Sequence, residues 1–281
     1  MKFPWANSSY EEADCIIIGV PDERGSHASR VGAQLGPYFI RNVSSSRDVY
    51  GPTRIAQSLS GEIKTKIHDL GDVKKEEVVD IVRSIVENNK IPVTLGGDHS
   101  ITTEVLKGFP TDIEISLIYF DAHPDIISSK RHYFGSVIFD VSQFNNIDIA
   151  SSVEVGIRDP EIEELMNIRK LGLKTYTTYE IYDIGMKNVL KEIEKIANKN
   201  IYLSIDMDVL DPAFAPGVGS PSPGGISAVR LMYIVKNIAS WGRLVGVDIM
   251  ETNPKYDIQD MTSHLAANIL IEILAALKIE R

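Results

Sequence analysis

The sequence predicts a three-layer α/β/α architecture: a mainly parallel sheet with helices on both faces, built as one domain over residues 1–281. Three observations predict it. Short runs that are apolar at nearly every position recur along the chain. Segments of helical period separate them. A composition of 43% hydrophobic against 24% charged residues supplies a sizeable core. Runs apolar on both faces suit strands covered from each side, as parallel sheets are.

The elements follow in order. Cys15–Val20 is the first apolar run, and Glu76–Asn88 is the first clear helix. That helix gathers Val78, Val79, Val82, Ile85 and Val86 on one face, with Glu77, Asp80, Arg83 and Glu87 opposite. Ile91–Leu95, Ile115–Phe120 and Val153–Ile157 are the next three strands. Pro160–Leu171 and Tyr179–Asn198 read as helices, Ile201–Ile205 as a strand, Ser227–Trp241 as a helix and Leu244–Ile249 as the last strand. A final helix from about Asp260 carries Leu265, Ile269, Ile273 and Leu277 at i+4 spacing. The Pro- and Gly-dense stretch Asp211–Gly225 reads as a rigid loop beside a site, because the strand–helix rhythm resumes directly after it.

Composition excludes several classes of function. A net charge of −10 leaves no basic field to hold nucleic acid or an anionic membrane. Cys15 is the only cysteine, so no intrachain disulfide forms, as in a reducing compartment. Glu11, Glu12 and Asp14 precede any apolar stretch, which is wrong for a signal peptide. The greasiest segment, Leu265–Leu277, contains Asn268 and Glu272 and falls short of the ~18 residues a membrane span needs. A cytoplasmic location follows by elimination.

Three polar clusters follow directly on apolar strands. They are Gly96-Gly97-Asp98-His99-Ser100, Asp121-Ala122-His123-Pro124-Asp125, and Asp206-Met207-Asp208 with Val209-Leu210-Asp211-Pro212 behind it. Ligands of open α/β sheets bind outside the carboxyl ends of the strands, so the clusters converge on one edge. In extended chain, residues i, i+2 and i+4 share a side, which aligns Asp121, His123 and Asp125, and likewise Asp206 and Asp208. Single acids at strand ends are ordinarily caps or surface groups. Four carboxylates with two imidazoles are different, because such a cluster repels itself unless cations neutralise it. Two divalent ions balance four carboxylates. Oxygen donors with two imidazoles and no thiolate favour Mn²⁺, with Zn²⁺, Co²⁺ or Ni²⁺ as competitors. Paired metals about 3.5–4 Å apart activate water, so the chemistry indicated is metal-assisted hydrolysis.

The ordered set GGDHS, DAHPD and SIDMDVLDP resembles the three metal signatures of the ureohydrolase (arginase and agmatinase) family. Further matches are Gly19-Val20-Pro21, the run from Gly32 to Pro37, the run from Asp69 to Asp72, the run from Pro221 to Gly225, and Asp248 through Pro254. The resemblance implies an arginase-like fold and a homotrimer or homohexamer. It implies one metal held by His99, Asp121, Asp125 and Asp206, and a second by Asp121, His123, Asp206 and Asp208. It assigns to Glu251 the substrate's guanidinium group, whose planar fork of donors suits a carboxylate.

The match breaks where the family carries a proton-shuttling histidine, in the loop after the second signature. Here Tyr133-Phe134-Gly135-Ser136-Val137 puts Phe134 at that place, with His132 two residues early. Either a shifted His132 serves as the shuttle or the role is lost. Ile127 stands where arginases place an asparagine for the amino-acid head group, which speaks against arginine. Ser220 and Ser222 replace the threonine and glutamate usual in the agmatine-cleaving branch. The resemblance thus implies hydrolysis of a small cationic guanidino compound to urea and an amine, with agmatine to putrescine the first expectation, a step of polyamine metabolism. The alternatives are guanidinobutyrate or a formimino substrate, or a metal-binding relative that has lost turnover.

Overall fold

The computed structural model describes residues 1–45, 57–58, 61–198 and 200–279. Among them, eight strands form one sheet: β1 (Cys15–Val20), β2 (Ile67–Asp72), β3 (Ile91–Gly96), β4 (Ser116–Phe120), β5 (Val153–Ile157), β6 (Lys174–Thr177), β7 (Ile201–Asp206) and β8 (Leu244–Met250). Their spatial order is β2-β1-β3-β8-β7-β4-β5-β6, and every pairing is parallel. Parallel neighbours need crossover connections, and helices supply them. The helices are α1 (Gly36–Ser45), α2 (Val78–Glu87), α3 (Ile101–Lys107), α4 (Val137–Val141), α5 (Ile162–Leu171), α6 (Thr178–Ile184), α7 (Met186–Ile196), α8 (Ala228–Ala239) and α9 (Met261–Ala276).

The period-2 geometry of the strands splits the core into two layers. On one side Ile17, Val93, Ile118, Leu203 and Val247 pack with α7, α8 and α9. On the other Ile16, Ile18, Leu117, Tyr119 and Tyr202 pack with α2, α3 and α4. All of these strand side chains are buried, and burying one stabilises by roughly 1.5–3 kcal/mol. The three-layer fold expected from the sequence is therefore present, with a sheet that is wholly rather than mainly parallel.

Several elements differ from the sequence reading. The two outermost strands, β2 and β6, escape the search for apolar runs because an edge strand is covered less completely. Ile67-His68-Asp69-Leu70-Gly71-Asp72 and Lys174-Thr175-Tyr176-Thr177 both mix polar and exposed residues. The helix read over Tyr179–Asn198 is two helices, because Gly185 at φ 81° takes a conformation no right-handed helix contains. No helix of the described residues is long and apolar enough to cross a membrane.

Candidate metal centre

The strand order puts β3, β8, β7 and β4 side by side at the middle of the sheet, and their carboxyl ends carry the chemistry. His99 follows β3, Glu251 follows β8, Asp206 ends β7 with Asp208 just beyond, and Asp121 follows β4. Sharp local turns aim the outer members. Asp125 has φ 48° and Glu251 has φ 61°, left-handed backbone that costs of order 1–3 kcal/mol each and persists only where surroundings enforce it. Gly97 has no room for a side chain, since a Cβ there would run into the carbonyl oxygen of Asp22. That contact draws the loop after β1 against the residues preceding His99.

The structure brings all six predicted ligand residues into one cluster. His99 Nδ1 lies 3.0 Å from Asp206 Oδ2, 3.0 Å from Asp121 Oδ2 and 3.7 Å from Asp125 Oδ2. His123 Nδ1 lies 3.1 Å from Asp208 Oδ2 and 3.4 Å from Asp121 Oδ1. Two groups with the spacing of cation sites result, His99–Asp121–Asp206 and Asp121–His123–Asp208, and Asp121 belongs to both. Apart from the His99 imidazole, buried Asp121 Oδ2 has no polar partner among the described residues. A buried carboxylate oxygen in that condition suits a cation, which accepts its lone pair without needing a proton.

Electrostatics argues the same way. Burial, then the charge of Asp121, pushes the Asp125 carboxyl well above the ordinary range. Burial, then Asp208 and Asp121, does the same to Asp206. For His99, burial opposes the charged ring, but Asp121 and Asp125 outweigh it and raise the imidazole to about 9. Burial also opposes ionisation of Asp121, yet His123 and His99 draw its carboxyl down. Glu251 rises to about 8 through burial and the nearby charges of Asp98 and Asp208. Carboxyls crowded in this way are relieved by cations, and the donor set fits two divalent ions.

Behind the ligands stands a layer that sequence reasoning missed. His99 Nε2 lies 2.8 Å from Ser204 Oγ, whose hydroxyl donates to Asp248 at 2.7 Å. Asp248 also accepts from Tyr202 at 2.6 Å and Thr102 at 2.8 Å. A proton on Nε2 shared with Ser204 leaves Nδ1 facing the carboxylates. Tyr119 stacks on the His99 ring at 4.5 Å and donates to Asp125 at 2.6 Å. Arg158 donates to the carbonyl oxygens of Asp208 and Ser222, both at 2.6 Å, tying the Pro- and Gly-dense loop to the cluster. One signal in the sequence pointed to Ser204: it lies two residues before Asp206 and so shares its side of the strand. Asp248 becomes legible only when β8 is seen paired in register with β7, Asp248 opposite Ser204.

Glu251 sits behind the cluster, its Oε1 accepting from the backbone N–H of His99 at 3.1 Å. His132 is not among the clustered groups. It pairs with Asp140 at 2.9 Å, its side chain 58% exposed, and lines a cavity of about 410 Å³ with Arg24, Gly25, Lys75, Glu76 and Glu104.

Comparison with known proteins agrees with this fold. The arginase family profile matches residues 13–276. A guanidinobutyrase of Pseudomonas aeruginosa is 30% identical over 99% of this chain and 91% of its own length. An agmatinase of Neisseria meningitidis serogroup C is 30% identical over 98% of this chain and 91% of its own. The solved structure of proclavaminate amidino hydrolase from Streptomyces clavuligerus superposes with a TM-score of 0.86 at 27% identity, covering 98% of this chain and 96% of that one.

Proposed function

The chain belongs to the arginase family, whose members are metal-dependent amidino hydrolases, and on that premise we propose that it hydrolyses a guanidino compound to urea and an amine, with agmatine, giving putrescine, as its first substrate. The observation that carries the reading is Asp121 shared between two cation-sized groups, with a buried carboxylate, Glu251, directly behind. In this reading His99, Asp121, Asp125 and Asp206 hold one ion, and Asp121, His123, Asp206 and Asp208 the other, Mn²⁺ being the metal such donors favour. When bound, a metal pair of this kind lowers the pKa of water from about 15.7 toward neutrality and so supplies the nucleophile.

The chain's own residues do the rest. Glu251 binds the guanidinium and fixes its plane, since two carboxylate oxygens match two parallel N–H donors. The cationic group also returns Glu251 to its ionised form, which burial disfavours in its absence. Ser204 and Asp248 hold the His99 ring, and Tyr119 holds Asp125, so neither ligand needs to reorganise. Ile127 offers no partner for an α-carboxylate, and a charge left unpaired in such a pocket costs several kcal/mol.

The same reading takes residues 1–281 as one domain and a cytoplasmic protein. It assembles as a homotrimer or homohexamer, supported by the exposed large apolar side chains Ile162, Met166, Tyr179 and Tyr182. A second substrate class, the guanidino acids, is favoured by the similarity to a guanidinobutyrase. Urea release with Mn²⁺ across agmatine, guanidinobutyrate, arginine and a formimino compound tests the proposal. Agmatine is expected to lead and arginine to trail by orders of magnitude in kcat/KM. Release from none of them would sink the reading.

A further inference from the structure

Resting on that reading, we infer that His27, on the loop after β1, delivers the proton to the departing amine, in place of the histidine that Phe134 displaces. The His27 ring stacks on Tyr133 with centroids 4.8 Å apart and planes 19° apart, and meets Phe134 edge-on at 6.2 Å. The backbone locks the two segments together, since Phe134 N–H donates to the Gly25 carbonyl at 3.1 Å. The Tyr133–Ser136 turn is in turn fixed to the end of β4. Ile127 N–H donates to the Gly135 carbonyl at 3.1 Å, and Ile138 N–H to the Asp125 carbonyl at 2.9 Å.

The residue after His27 lies near Gly219, which also borders Glu251. A Cβ built on Gly219 would lie 2.9 Å from Glu251 Oε2 and 3.3 Å from the Cβ of Ala28, the residue next to His27. On the opposite side Gly25 N–H donates to buried Asp98 at 2.8 Å, beside His99. His27 thus sits on a loop whose neighbouring residues meet the segments that carry Asp125, His99 and Glu251. Its ring is exposed, and neither nitrogen has a hydrogen-bond partner among the described residues. His132, the other imidazole near this turn, is occupied by Asp140.

The chemistry balances with no further reactant. Water oxygen bonds to the guanidinium carbon, and the bond from that carbon to the alkylated nitrogen breaks, its electron pair staying on nitrogen. The His27 imidazolium gives one proton to that nitrogen; of the two protons of the attacking water, one restores the imidazolium and the other passes to the amine as it leaves. The net change is guanidinium plus water to urea plus alkylammonium. A positioned acid of this kind contributes about 10²–10⁴-fold.

The test uses the Mn²⁺-loaded protein and whichever guanidino compound the wild type cleaves. His27→Ala and His27→Gln are both expected to lose about 10²–10⁴-fold in kcat, with KM within about threefold and Mn²⁺ content unchanged. Added imidazole should restore part of the His27→Ala rate, which a merely structural stack on Tyr133 would not allow. In metal-free protein, adding the same guanidino compound should shift the ring-proton resonances of His27. Wild-type kcat in His27→Ala, or the loss appearing in His132→Ala instead, overturns the inference and leaves the proposed function standing. A wild type that cleaves no guanidino compound overturns the proposed function and this assignment with it.

Discussion

The two halves of the metal cluster are built on the same plan and finished differently. His99 is fully buried, stacked on Tyr119 and backed by the Ser204–Asp248 relay. The His123 side chain is 25% exposed, and its Nε2 faces Asp159, 3.9 Å away and itself 70% exposed. The inner half is held by geometry that water cannot reach. The outer half holds His123 Nδ1 on buried Asp208 and Asp121 but turns the other nitrogen toward a charge that solvent screens. The difference teaches that a shared ligand can join one enclosed site to one partly open site.

Removing the shared element should abolish the comparison altogether. Asp121→Ala takes a ligand from both groups, so affinity for both ions should fall by more than about 100-fold, beyond the effect of any supporting residue. Elemental analysis after gel filtration reads it, and two ions retained per chain would rule out a shared carboxylate. Ser204→Ala should cost about 10–100-fold in affinity at one ion only, because it frees the His99 tautomer and spares His123. Asp159→Asn is expected to cost less than about tenfold, and less still at high salt. A loss from Asp159→Asn equal to that from Ser204→Ala would remove the asymmetry.

The smallest expected effect is on the stability of metal-free protein. His99 is raised from 6.5 to about 9 and Glu251 from 4.5 to about 8. Groups with raised folded-state values stabilise fully below their unfolded values, and that contribution fades as pH climbs through the folded ones. In EDTA, Tm should therefore fall as pH climbs through about 8 and on through about 9, and Mn²⁺ should flatten the slope. A Tm in EDTA that is level or rising over that range would show that the cluster is not proton-compensated.

The parts legible in the sequence were those whose signal is local. His99, Asp121, His123, Asp125, Asp206 and Asp208 each sit at or just past the end of an apolar run, so strand patterning placed them at one edge of the sheet. The extended chain expected beyond the strands is not what orients them, since Asp208 lies in a 3-10 turn and Asp125 in left-handed backbone. The inner strands were legible because both faces are greasy. β2 and β6 were not, since Asp69 stands inside β2 paired with buried Arg41, and Lys174 stands exposed in β6. Asp248 and His27 stayed hidden for another reason. Each acts on a segment far away in sequence, Asp248 through a neighbouring strand and His27 across 106 positions to Tyr133, and no periodicity records such a meeting.

The last strand, β8, lies between β3 and β7 rather than at an edge. A ribosome releases the chain from the N-terminus, so β1 to β7 emerge with a gap at the centre of their sheet, and Glu251 and Asp248 are still unmade. Until the chain beyond Leu244 has appeared, β3 and β7 have no strand to bridge them. His99 and Asp206, 107 positions apart, then have nothing to hold them side by side. Translation itself thereby enforces a sequence of events: a nascent chain offers scattered acids to the metal ions of its surroundings, and the complete pair of sites exists only once β8 has been made.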